Sequence, residues 1–246
     1  MSTKLDLKKF SELFGNWWYR IEPFFLSGEM DKVYDFLKSE SKKGKRLAPS
    51  SSNTFRVFKE VDYNDLQVVV LLMDPYFTFV NNEPIASGVG LDCSLRGKLQ
   101  PSLRNFYQGI EEELYSGLTL ERDLTQPDLK FYSDQGIMML NAALTVEKDK
   151  AGSHIAIWNM FTTFLLKEVI APTGVPILFL GKEAQSYRPL VEKTNYCYSL
   201  NHPSSASYNR DVWKTEGVFK KINKHIWESN KEIIHWLYLD FDSLPF

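Results

Sequence analysis

Apolar positions in the first sixty residues recur at steps of three and four: Leu5, Phe10, Leu13 and Phe14 form one stripe, Val33, Phe36 and Leu37 another. That period predicts amphipathic helices laid over a larger body. The pattern then changes. QVVVLLMDPY (67–76) is a continuous β-branched and apolar run that ends in polar residues, which predicts a buried parallel strand with functional groups at its carboxyl end. GIMMLNAALTV (136–146), which contains Asn141, and VPILFLG (175–181) follow the same plan, and YCYSLNHP (196–203) is a weaker fourth strand that closes on His202. Helical periodicity lies between them over 101–114, 157–170 and 212–227. Strands alternating with helices need crossover connections, so the predicted fold is α/β, a central and mainly parallel four-stranded sheet flanked by helices on both faces. No repeat or long linker divides the chain. One domain is expected over 1–246, with a helical N-terminal layer over about 1–60 and a short acidic tail over about 238–246.

In such sheets ligands bind beyond the carboxyl ends of the strands. Asp74, Asn141, Gly181 and His202 all fall at predicted carboxyl ends and therefore converge on one crevice. A composition of 43% hydrophobic and 24% charged residues, with 35 aromatics, excludes disorder as the main state. The net charge of −2 excludes a globally basic nucleic-acid binder but leaves room for a local phosphate surface. Cys93 and Cys197 cannot build a disulfide framework or a four-thiolate zinc site, which points to a reducing, cytoplasmic compartment. No HExxH pair joins any of the four histidines and no Gly-rich phosphate loop is present, so neither metal nor nucleotide cofactor is expected. Charges interrupt the N-terminal segment, which lacks the apolar core of a secretion signal, and apolar runs of six or seven residues fall far short of the roughly 20 that span a bilayer. No membrane association is expected. The most basic stretch, KSESKKGKR (38–46), reads as a solvated helix end rather than a phosphate contact.

Asp, Asn and His gathered without metal suit one kind of chemistry. A carboxylate positions water and stabilises a cationic sugar, a neutral His donates to a departing anion, and an Asn side chain both donates and accepts. Hydrolysis of an N-glycosidic bond asks for these groups. The residues themselves resemble the family-1 uracil-DNA glycosylases. That family's water-activating motif Gly-Gln-Asp-Pro-Tyr-His is matched by Leu72-Met73-Asp74-Pro75-Tyr76-Phe77. Its base-reading strand is matched by QGIMMLNAALTV (135–146), followed by Ser153, His154, Trp158 and Phe161, and its leucine loop His-Pro-Ser-Pro-Leu-Ser by His202-Pro203-Ser204-Ser205-Ala206-Ser207. Each tripeptide alone is a weak signal; four matches in order, from about residue 20 to residue 240, make a strong one.

The resemblance implies base flipping and uracil excision, with no cofactor. Asp74 would orient water and face the cationic sugar, and His202 would donate to uracil O2. Asn141 would read the Watson–Crick edge, Met73 would meet the base through its backbone, and Tyr76 would exclude a thymine methyl. Ser102, Ser204, Ser207 and Arg210 would hold the flanking phosphates, and Leu91 would stand where the family stacks an aromatic on the base. Ala206 takes the place of the leucine that enters the vacated stack; a methyl cannot fill that hole, so either another residue wedges the duplex or the protein prefers single-stranded DNA. Phe77 replaces a polar histidine. These departures look like those of divergent viral or phage members, and a monomer is expected. The alternatives are a catalytically weak docking or DNA-binding subunit of a viral or phage replication machine, and a glycosylase for another modified pyrimidine. The chain ends in DFDSLPF, with Asp240, Asp242 and Phe246, which resembles the acidic tip of bacterial single-stranded DNA-binding proteins and implies a host or phage replication partner.

Overall fold

Four of the apolar runs form one sheet in the computed structural model, which describes residues 4–96, 98–116, 124–209 and 211–238. The strands are β1 (Val68–Leu72), β2 (Ile137–Asn141), β3 (Ile177–Leu180) and β4 (Cys197–Leu200), in spatial order β2-β1-β3-β4, and every neighbouring pair is parallel. Every residue of β1, β2 and β3 is buried, as expected for strands covered on both faces, while the edge strand β4 is half-buried over its first three residues. The register sets Leu72 opposite Asn141 and Leu180 opposite Leu200, which aligns the carboxyl ends of all four strands.

The N-terminal residues form helices α1 (Leu7–Phe14), α2 (Trp18–Leu26) and α3 (Glu29–Lys42). Asp6 caps α1 by accepting the Lys9 N–H. Their apolar stripes meet in an aromatic cluster, with Phe14 against Phe25, Phe55 and Phe58, and Phe24 against Phe161 and Phe164. Helices α4 (Pro101–Ile110), α5 (Ile155–Phe164) and α6 (Val218–Glu228) complete the layers around the sheet.

Several boundaries differ from the sequence reading. The periodic stretch over 101–114 is α4 followed by a π-helical turn, Glu111–Tyr115. The helix expected over 212–227 starts at Val218, because Trp213 is buried with its indole N–H on the Asn201 carbonyl at 2.9 Å and Gly217 takes a left-handed conformation before the first turn. Helix α5 runs on through π-helical and 3₁₀ turns to Thr173. The resulting 19 residues, Ile155–Thr173, are long and apolar enough by length and composition to cross a membrane, a continuity that counting uninterrupted apolar runs misses. Their buried members, among them Trp158, Phe161, Leu166 and Ile170, belong to the hydrophobic core, which accounts for the apolar character.

The basic run is divided in two. Glu40 of α3 is buried and holds Lys43 at 2.9 Å and Lys45, and these two lysines keep its carboxyl down at about 2. Lys45 also reaches Glu147 at 3.1 Å. Lys38 and Lys42 form no ion pair among the described residues.

Candidate active site

Asp74 lies two residues beyond β1, past a bend at Met73 and immediately before Pro75. The Gly152 N–H donates to its Oδ2 at 2.6 Å. Burial raises its pKa to about 6 against the opposing Gly152 hydrogen bond, and nearby Glu183 adds a smaller push in the same direction. Glu183 was not singled out in the sequence. It belongs to the short helix Lys182–Gln185, which follows the left-handed Gly181 at the end of β3.

Asn141 closes β2 directly across from Leu72. The parallel pairing continues past both strand ends, with Ala142 N–H on the Leu72 carbonyl at 2.8 Å and Ala143 N–H on the Met73 carbonyl at 2.9 Å, so Met73 and Asn141 are clamped side by side. Asn141 is only 5% exposed, and its side-chain amide, which keeps some contact with solvent, has no hydrogen-bond partner among the described residues. An amide so placed is available to a ligand, and leaving it unpaired in a closed site is costly.

His202 follows β4. The Ser204 backbone N–H, which can only donate, points to its Nδ1 at 3.2 Å, and the Ser204 hydroxyl lies 2.9 Å from the same nitrogen. Nδ1 is therefore the acceptor, and the neutral ring carries its proton on Nε2. Burial lowers the His202 pKa to about 4, so the ring is neutral at physiological pH. Gly181 is required behind it: at φ +89° it is already left-handed, and a Cβ there would stand 3.2 Å from the Cβ of His202.

Tyr76 shares a 2.7 Å hydrogen bond with Ser102 at the start of α4, and burial lifts its phenol above the ordinary range. The same helix supplies Asn105, whose Nδ2 donates to the Pro203 carbonyl at 2.9 Å and to Ser207 Oγ at 2.8 Å. One helix thus carries both the Tyr76 support and the brace of the His202 loop. Asn105 is invisible in sequence, since its meaning depends on α4 lying against a loop about a hundred residues away. Asn105→Ala is expected to lower kcat/KM about tenfold, the equivalent of roughly one or two hydrogen bonds, measured against a melting curve that moves little.

Not every expected residue faces the crevice. Leu91 is 6% exposed and joins the hydrophobic core, held left-handed at φ +61°. Its neighbour Gly90 presses on β2, with its N–H 2.8 Å from the Met139 carbonyl, and a Cβ there would meet Leu72 at 2.6 Å. Ala206 is also buried at 6% and packs into the core. Phe77 is 38% exposed. Ser102 is buried and spends its hydroxyl on Tyr76, whereas Ser207 is exposed. Arg210 lies outside the described residues. His154 is structural: Thr145 Oγ1 accepts the Trp158 indole N–H at 2.7 Å and contacts His154 Nδ1 at 2.8 Å. Among the described residues no three His, Cys, Asp or Glu side chains gather as a metal site.

A uracil-DNA glycosylase of Lactobacillus delbrueckii subsp. bulgaricus is 31% identical over 223 residues, covering 90% of this chain and 93% of the relative. The chain belongs to the uracil-DNA glycosylase family. A Caenorhabditis elegans uracil-DNA glycosylase is 30% identical over 242 residues, 95% of this chain and 80% of its own length. The crystal structure of mimivirus uracil-DNA glycosylase superposes with a TM-score of 0.81 at 23% identity, over 95% of this chain and 90% of that one, and shares the fold. No protein-family model matches the sequence. Family membership accounts for the parallel sheet with its polar groups at the carboxyl ends.

Proposed function

We propose that this chain excises uracil from DNA, with Asp74, Asn141 and His202 as the reacting and reading groups. The observation that carries the residue assignment is the pair of opposed shifts: burial holds the Asp74 carboxyl at about 6 and the His202 imidazole at about 4. At neutral pH the site thus offers one carboxylate and one neutral N–H donor, each in a setting that strengthens its electrostatics.

The flipped base enters the crevice with its edge at Asn141, whose amide accepts from N3–H and donates to O4, a pattern that cytosine reverses. As the C1′–N1 bond breaks, its electron pair goes to the base, and the His202 Nε2–H donates to the growing charge on O2. The sugar becomes a cation facing the Asp74 carboxylate. Water adds to C1′ and gives its proton to that carboxylate, leaving an abasic site and free uracil. Tyr76, braced by Ser102, fills the space beside uracil C5 and collides with a thymine methyl. Ser207 and Arg210 hold the flanking phosphates, Ser204 orients the His202 ring with both of its donors, and Leu91 acts from within the core.

The same reading takes the enzyme as a monomer of viral or phage origin working in the cytoplasm, with the 240–246 tail, outside the described residues, docking on a replication protein. The complete Asp74, Asn141 and His202 set favours an enzyme over a docking subunit. The test is strand scission at alkali-labile sites after incubation with single- and double-stranded oligonucleotides holding one uracil, one thymine or one modified pyrimidine. Scission at uracil alone is expected; none on any substrate sinks the assignment.

A further inference from the structure

On the N-terminal layer, α1, α3 and the segment over 47–55 enclose a groove of about 1110 Å³. Its floor is apolar, formed by Phe10, Leu13, Val33, Leu37 and Phe55, most of them only partly covered. Its rim is basic. Lys9, Lys38, Lys42 and Lys59 line it without an ion pair among the described residues, whereas Lys45, also at the rim, is taken up by Glu40 and Glu147. Glu12 is the one acidic side chain among the lining residues. A chain of net charge −2 therefore carries a positively rimmed apolar trough, and none of the crevice groups Asp74, Tyr76, Asn141 or His202 lines it.

An apolar trough ringed by one sign of charge has the composition of a recognition surface. We propose that the groove docks an acidic segment of another protein, with bulky apolar side chains seated on the Leu13–Leu37–Phe55 floor and carboxylates against Lys9, Lys38, Lys42 and Lys59. Charge complementarity selects the sign of the partner, and a floor that mixes Leu13, Val33 and Leu37 with Phe10 and Phe55 offers seats for bulky apolar side chains. Among the described residues the lining contains no Arg, Asn or Gln, the side chains that read base edges, so sequence-specific reading of bases is not built into it, and a thymidine oligonucleotide serves as the competing ligand in the test. Lysines contribute as point charges to an amphipathic ligand, without the forked geometry that arginine brings.

The experiment is fluorescence anisotropy of the full-length protein with synthetic peptides of about 12 residues, in an array that varies the number of Asp and Glu and the spacing of Phe and Leu. Saturable binding to acidic apolar members is expected. It should weaken at least about tenfold in the double variant Lys38→Glu with Lys59→Glu and on raising salt from about 50 to about 500 mM, as exposed ion pairs do. Excision of uracil, unchanged in that variant, reports that the fold is intact; should the chain prove inactive, circular dichroism gives the same control independently. Leu37→Asp should abolish binding of the same peptides through the floor. Three results overturn the proposal. One is no saturable peptide binding. Another is a thymidine oligonucleotide that binds more tightly than the peptides and loses affinity in the charge variant. The third is peptide binding only after removal of residues 239–246, which makes the chain's own tail the occupant.

Discussion

Asp74→Asn is expected to lower kcat on a single-stranded uracil oligonucleotide by about 10²–10⁴-fold, the range for loss of a positioned base, and to leave KM close to its original value. The substitution keeps an oxygen for the Gly152 N–H, so the segment beyond β1 keeps its tether. What disappears is the negative charge facing the sugar and the acceptor for the water proton. The pH profile of the unsubstituted enzyme should carry the same signature. With a carboxyl at about 6, kcat falls about tenfold per pH unit below 6 and is flat above it, and His202, neutral from about 4 upwards, adds no inflection between pH 5 and 8. Stability should move the other way. A carboxyl raised on folding contributes stability that is fully present below its ordinary value near 3.8 and is lost as the pH rises through about 6. At pH 7 the native state therefore carries the cost of a buried anion, roughly 2–3 kcal/mol for about two pH units. Asp74→Asn should melt higher than the parent at pH 7 and level with it at pH 4. A variant that keeps kcat within tenfold, or that melts lower at pH 7, contradicts the role given to this residue.

His202→Ala should cost about 10²–10³ in kcat, the loss seen when one preorganised donor to a developing oxyanion is removed. The ring is set for donation because Ser204 occupies Nδ1 as a donor and leaves Nε2–H as the outward group. Its low pKa rules out an imidazolium as the resting form, so the ring acts as a fixed dipole rather than a proton carrier. The inflection near 6 should persist in His202→Ala, since it belongs to Asp74. Its disappearance would assign the titration to the histidine, and a loss confined to KM would assign the ring to binding alone.

The strands were legible because burial on both faces leaves an uninterrupted apolar run, and β1, β2 and β3 are fully buried. Asp74 and Asn141 were legible for the same reason: a polar residue at the end of such a run sits where the ligand goes. Residues that work through a distant partner were not. Asn105 and Glu183 look like ordinary helical surface positions until α4 meets the Pro203 carbonyl and the short helix after β3 brings Glu183 within electrostatic reach of Asp74. Leu91 and Ala206 show the converse. Resemblance aligns a position along the chain, whereas burial depends on which way the backbone turns there, and a left-handed Leu91 sends its side chain inward. Helix starts were read early where a buried aromatic such as Trp213 mimics helical periodicity in an irregular segment.

The inward-facing methyl of Ala206 has a kinetic consequence on duplex DNA. If no other side chain fills the hole that base flipping leaves, opening of the pair falls to the DNA itself, and the rate inherits the breathing frequency of the helix. Selection among uracils passes in part to the DNA: those in soft pyrimidine–purine steps or in mismatches are reached first, and those in stiff A-tracts last.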